Sequence, residues 1–214
     1  MIAGGHDNSR RFRGDDGSVL AELALLSPFL VLMVLGILEF GTVFREKSNL
    51  SGALQSSARI DSGTGTGRLA DYYALQSFYA QLAQAKHITV NKVVIYRTTD
   101  PAGAPLSALC LSTPSPAPAN NCSVYTWSQI TQVGQDSSGA IQAADFGTTG
   151  TTCTSGSWDS NWCPLNRNVE QADPPDYVGV YANVTYKSLT GLLPSTVTLT
   201  DQAIYRIDPK VSTG

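Results

Sequence analysis

Charge is scarce in this 214-residue sequence: Asp, Glu, Lys and Arg make up only 14% of it, against roughly a quarter in ordinary soluble domains. The shortage argues against a highly charged cytosolic protein and favours a cell-surface setting. Lys and Arg nowhere cluster densely enough to follow a phosphate backbone, and the net charge is −3, so nucleic acid is not an expected partner. Histidine is scarcer still, with two in the chain, His6 and His87. There is no His-Glu-x-x-His pair, no Gly-x-Ser-x-Gly elbow and no base beside a cysteine, so metal-assisted and nucleophilic hydrolysis lack their parts. Asp159-Ser160-Asn161 begins like a calcium loop but lacks the glycine and the closing glutamate. Asp173 and Asp176 flank two prolines and read as a solvated turn. The expectation is a protein that is not an enzyme and carries no cofactor.

What the chain does hold is a long apolar run. After a polar leader, residues 1–17, with Arg10, Arg11 and Arg13, the uncharged stretch Leu23–Leu38 contains seven leucines plus Phe29, Val31, Met33, Val34 and Ile37. About ten such residues at around −0.5 kcal/mol each favour the bilayer by roughly 5 kcal/mol. As a helix from Ser18 to Phe40 the segment would span about 35 Å, enough for one tilted pass of a hydrocarbon core of about 30 Å. A secretory signal peptide is the competing reading, but Glu39-Phe40-Gly41-Thr42-Val43-Phe44 offers no small-x-small cleavage site. The leader arginines put the N-terminus in the cytoplasm and the remaining chain outside, a bias that Arg45 and Lys47 weaken.

The run opens Gly17-Ser18-Val19-Leu20-Ala21-Glu22 and closes Gly36-Ile37-Leu38-Glu39-Phe40-Gly41, with Ala24-Leu25-Leu26-Ser27-Pro28-Phe29-Leu30 between them. This spelling resembles the processing site of type IV pilins and pseudopilins, in particular the TadE/TadG subfamily of tight-adherence (Flp) pilus systems. The resemblance covers about fifty N-terminal residues, and Tyr177–Asp208 also looks like that family's C-terminal strand pair. It implies cleavage by a prepilin peptidase between Gly17 and Ser18 on the cytoplasmic side. It further implies a bacterial single-pass membrane protein whose helix meets lipid, other pilin and pseudopilin subunits and the assembly machinery.

Cleavage there would create an amine on Ser18, one helical turn before Glu22. The new charge can pair with Glu22 of its own chain or of a neighbour, and the resemblance favours the neighbour. Glu39, at the other end of the span, reads as a carboxylate at the wet membrane rim. Pro28 lacks an amide hydrogen and crowds the carbonyl of Ala24, so a kink is expected there.

Beyond the membrane, residues 41–60 continue the helix with Val43, Phe44, Leu50, Leu54 and Ala58 at helical spacing. Asp61-Ser62-Gly63-Thr64-Gly65-Thr66-Gly67 ends it. No strand precedes these glycines and no Lys-Ser or Lys-Thr follows, so they read as a linker and not a phosphate loop. A second amphipathic helix is expected over residues 68–86, with Leu69, Tyr72, Leu75, Phe78, Tyr79 and Leu82 on one face. Strands are expected over Ile88–Arg97, Tyr177–Lys187 and Thr196–Ile207, the last two joined as a hairpin. Val178, Val180, Ala182, Val184 and Tyr186 share one face of the second. Residues 61–214 thus form an extracytoplasmic α+β domain, a helix packed on an antiparallel sheet.

Residues 104–176 read as a loop-rich insertion, with Thr113-Pro114-Ser115-Pro116-Ala117-Pro118 at its heart. Cys110, Cys122, Cys153 and Cys163 all lie in it. An even count in an exported loop region argues for two disulfides, with three connectivities open; sequential pairing would contribute about 3 kcal/mol per loop in a chain-entropy estimate. Zinc is the rival, but close Cys-x-x-Cys pairs and a nearby histidine are missing. Two functions follow. One is structural, a minor pilin or pseudopilin. The other is a permanently anchored, adhesin-like surface domain that binds a glycan or protein through aromatics such as Tyr125, Trp127, Trp158 and Trp162.

Overall fold

A computed structural model describes residues 15–83, 85–100, 102, 106, 108–112, 121–141, 145–146, 153, 155–170 and 175–208. One helix, α1 (Asp15–Thr64), runs for 50 residues with Pro28 inside it. At about 1.5 Å per residue it is roughly 75 Å long. It outlasts the expected helix end by four residues, through Asp61–Thr64, and stops where Gly65 takes φ +58°, the left-handed conformation that a glycine adopts without a Cβ penalty.

The chain then turns back into α2 (Ala70–Leu82), which packs along the outer half of α1. Tyr72, Leu75, Phe78 and Leu82 are buried, and Leu69 and Tyr79 pack at the margin of the same core. Four antiparallel strands follow: β1 (Ile88–Thr98), β2 (Cys122–Thr126), β3 (Tyr177–Lys187) and β4 (Thr196–Arg206), in spatial order β2-β1-β3-β4. Val178, Val180, Ala182, Val184 and Tyr186 are all fully buried, so the period of two along β3 does set one inward face. That face, with Val93 and Ile95 of β1, packs on Leu50, Ala53, Leu54 and Ala58 of α1 and on Phe78 of α2. Where Tyr96 opposes Gly179 the backbones need the glycine: a Cβ there would lie 2.3 Å from the tyrosine ring.

The insertion is more ordered than its composition predicts. Besides β2 it holds α3 (Ala108–Ser112), α4 (Trp127–Gln135) and two single 3₁₀ turns, Ser160–Trp162 and Pro164–Asn166. The reason is local: Thr126 and Gln129 form a reciprocal capping box that starts α4 directly from the end of β2. Gly134 lets α4 approach α2, since a Cβ there would meet the Tyr79 ring at 2.1 Å. The Pro-rich heart, residues 113–118, lies outside the described residues, as does Asp173. Asp176 is not a solvated turn residue; it is buried and paired with Arg97 at 2.7 Å.

Candidate functional site

The apolar run is the strongest local signal in the sequence, and the structure leaves it bare. From Val19 to Val34 every α1 side chain is exposed, and Leu25, Phe29 and, further on, Ile37 reach 79%, 61% and 69%. A surface this apolar cannot stand in water. The helix is long and apolar enough to cross a bilayer, a candidate single-pass anchor. Gly17 and Ser18 fall in its first turns, and Glu22 is exposed one turn later. Residues 1–14 of the expected leader lie outside the described residues.

Pro28 sits within an uninterrupted helix. Its missing amide would leave the carbonyl of Ala24 without its usual partner, and the Ser27 hydroxyl donates to that oxygen at 3.2 Å. The Ser-Pro pair therefore brings its own substitute donor into an apolar stretch.

At the other end the expected wet glutamate is a correction. Glu39 is fully buried. The Tyr186 hydroxyl donates to Oε1 at 3.0 Å, the Leu189 amide reaches both oxygens at 3.2 Å, and the Thr190 amide and hydroxyl donate to Oε2 at 2.8 and 2.7 Å. The β3–β4 connection thus folds over the carboxylate and ties the far end of the sheet to the helix exit. A buried carboxylate is tolerated only with such a full set of donors. Its face of the helix continues through Thr42 and buried Glu46. Phe44, expected inside with Val43 and Leu50, consequently points outward and is 77% exposed.

A second polar cluster, unforeseen in the sequence, fixes the other end of α1. Arg167 is buried, donates from Nη1 to Asp61 of α1 at 2.8 Å and from Nη2 to Asp71 of α2, and lies 4.2 Å from the Trp162 ring centroid. The Tyr125 hydroxyl donates to the other Asp71 oxygen. Burial pushes Asp61 up to about 7; Arg167 opposes that shift and the Asp71 charge adds to it. Burial likewise lifts Asp159 to about 6, again with Asp71 contributing. Two carboxylates on one cation leave a net negative charge indoors, which is why a proton is held there so firmly.

The cysteines pair sequentially, Cys110 with Cys122 and Cys153 with Cys163, at Cα separations of 6.3 and 6.1 Å. Among the described residues no group of three or more His, Cys, Asp or Glu is placed to hold a metal ion. The aromatics offered for ligand binding are mostly spent on packing. Tyr125 and Trp162 are buried, and Trp127 and Trp158 are half-buried against the core. A polar cleft of about 330 Å³ does lie beside Trp162, lined by Arg97, Asn121, Asn161, Asn166 and Asp176.

No curated protein and no solved structure matches the chain. One family does, over the same stretch that builds the exposed half of α1 and its passage into the domain. Residues 17–59 match the family of TadE-like proteins, so the likeness rests on the N-terminal helix and its passage into the domain.

Proposed function

We propose that the chain is a minor pilin or pseudopilin of a tight-adherence pilus, acting structurally in assembly or at the filament base or tip. In this reading a prepilin peptidase removes residues 1–17 on the cytoplasmic side, and the exposed half of α1 then packs in lipid or among other pilin helices. The observation that carries it is the contrast along α1: apolar and largely bare from Val19 to Leu38, with Glu22 the one carboxylate in that length. A plain anchor needs no charge there; the cost of a carboxylate, about 2.5–3.5 kcal/mol at mid-bilayer, is smaller at the end of the span where Glu22 lies, but it is still a cost that an anchor has no reason to carry. Glu22 instead neutralises the new Ser18 amine of an adjacent subunit.

The test uses the full chain in cells that contain the peptidase. Mature protein should begin at Ser18, and Gly17→Lys should leave the precursor about 17 residues heavier by mass spectrometry. Glu22→Ala should be cleaved and inserted normally yet lose co-purification with partner pilins, while Glu22→Gln separates charge from shape. Wild-type protein that still begins at Met1, or undiminished assembly of Glu22→Ala, overturns the reading and leaves a permanently anchored surface domain.

A further inference from the structure

The apolar surface of α1 does not end with the membrane segment. Ile37, Phe40 and Phe44 form one strip, and the two phenylalanines are 67% and 77% exposed. On the Glu39 side of the same turns the helix is covered by the β3–β4 loop, residues 188–195. That loop shows two leucines to the outside at the same level, Leu189 at 52% and Leu192 at 45% exposure. Hairpin tips in water are ordinarily polar, yet here phenylalanines and leucines together make an apolar collar around the helix exit.

The backbone of the loop is also prepared for a place poor in water. Leu189 and Thr190 donate their amides to Glu39, Gly191 donates to the Ser188 hydroxyl at 3.2 Å, and Leu192 donates to the Thr190 hydroxyl at 3.3 Å. Four consecutive amides are satisfied inside the molecule. An unpaired amide costs most where water is excluded, so these four bonds lower the cost of seating residues 189–192 where water is scarce. Exposed Lys187 at the end of β3 and Arg45 on α1 flank the collar, as suits a headgroup layer.

We propose that residues 188–195 form a second membrane contact, a foot seated in the lipid interface with Leu189 and Leu192 inserted and Glu39 as its clasp. The bilayer is the occupant because the collar is continuous with the membrane-spanning surface: Glu39 lies within the span and the loop is bonded to it. The consequence is functional. A domain held at both the helix and the foot cannot tilt freely over the membrane, so its sheet is presented to partners at one fixed angle.

This inference rests on the membrane-anchor reading, and the experiment separates the two. All four native cysteines are in disulfides, so a single introduced cysteine can be labelled with an environment-sensitive fluorophore. Full-length Leu192→Cys, Met33→Cys and Gly63→Cys proteins are reconstituted in phosphatidylethanolamine/phosphatidylglycerol vesicles carrying spin-labelled lipid at shallow or deep positions. Gly63 is exposed with open space around it, about 35 Å along the helix from Phe40. Deep quenchers should act on position 33 and shallow quenchers on position 192, several-fold more than on position 63. If position 33 escapes quenching, anchor and foot fall together. Quenching at 33 with position 192 behaving like 63 overturns the foot alone. A blue-shifted label at 192 that lipid quenchers do not reach means that protein covers the loop, which also overturns it.

Discussion

The two halves of α1 meet two different surroundings within one continuous helix. From Val19 to Leu38 leucines and valines face outward on every side, while from Glu39 to Thr64 the inward positions are Leu50, Ala53, Leu54 and Ala58, small or well-fitted residues under a sheet. The polar residues reverse roles too. Glu22 in the apolar half is bare, whereas Glu39, Asp61 and Asp71 in and beside the domain-packed half are buried and bonded. The difference teaches that one helix is stabilised by its own domain at one end and needs an outside medium at the other, so substitutions in the two halves should be read in different assays.

The largest effect expected is at the clasp between α1, α2 and the insertion. Arg167→Ala removes the only cation facing Asp61 and Asp71 among the described residues and leaves two buried carboxylates uncompensated, a loss of about 3–5 kcal/mol. The domain should unfold in chaotrope at much lower concentration while the protein still fractionates with membranes. Retention of wild-type unfolding would show that the ion pairs contribute nothing to stability. Next comes a matched pair that tests the comparison directly. Leu54→Ala, at a fully buried site, should cost about 2–5 kcal/mol of domain stability. Leu30→Ala, 53% exposed, should leave the domain midpoint within about 0.5 kcal/mol. Equal losses at both positions would mean that the apolar half also packs on the domain.

Most of the scaffold could be read from the sequence, because it is periodic. The run Leu23–Leu38, the alternation of Tyr177–Lys187 and the spacing of Tyr72, Leu75, Phe78 and Leu82 each describe a local surface that needs covering. What escaped was of two kinds. The strand β2 and helix α4 hide in a Pro- and Ser-rich insertion whose composition drowns them, although Thr126-x-x-Gln129 is a readable capping box. Glu39 and Arg167 escaped for a different reason: their partners are 150 and 106 residues away, Leu189 and Asp61. No periodicity records a polar pair of that separation. Each was a single charge in an apolar or loop setting, and only the fold supplies its counterpart.

The smallest effect expected is a pH dependence confined to the domain-packed half. Asp61 is held near 7 by burial, above its ordinary 3.8, so the folded state keeps a proton that the unfolded chain releases. Its contribution is complete below the unfolded value and fades as pH rises through about 7. Asp159, lifted to about 6, acts in the same direction. Asp136 opposes them: burial works against its charge, but donors from Ser138 and Ile141 hold it below the usual carboxylate range, so its loss of stability falls only below about pH 4. Urea midpoints of the full chain in detergent should therefore rise as pH falls from about 8 to about 5. Asp61→Asn should remove most of that rise, because an amide keeps the bond to Arg167 without a proton to lose. A wild-type midpoint that falls over this interval would mean that Arg167 holds Asp61 ionised throughout, and the proton assigned to the cluster would not be there.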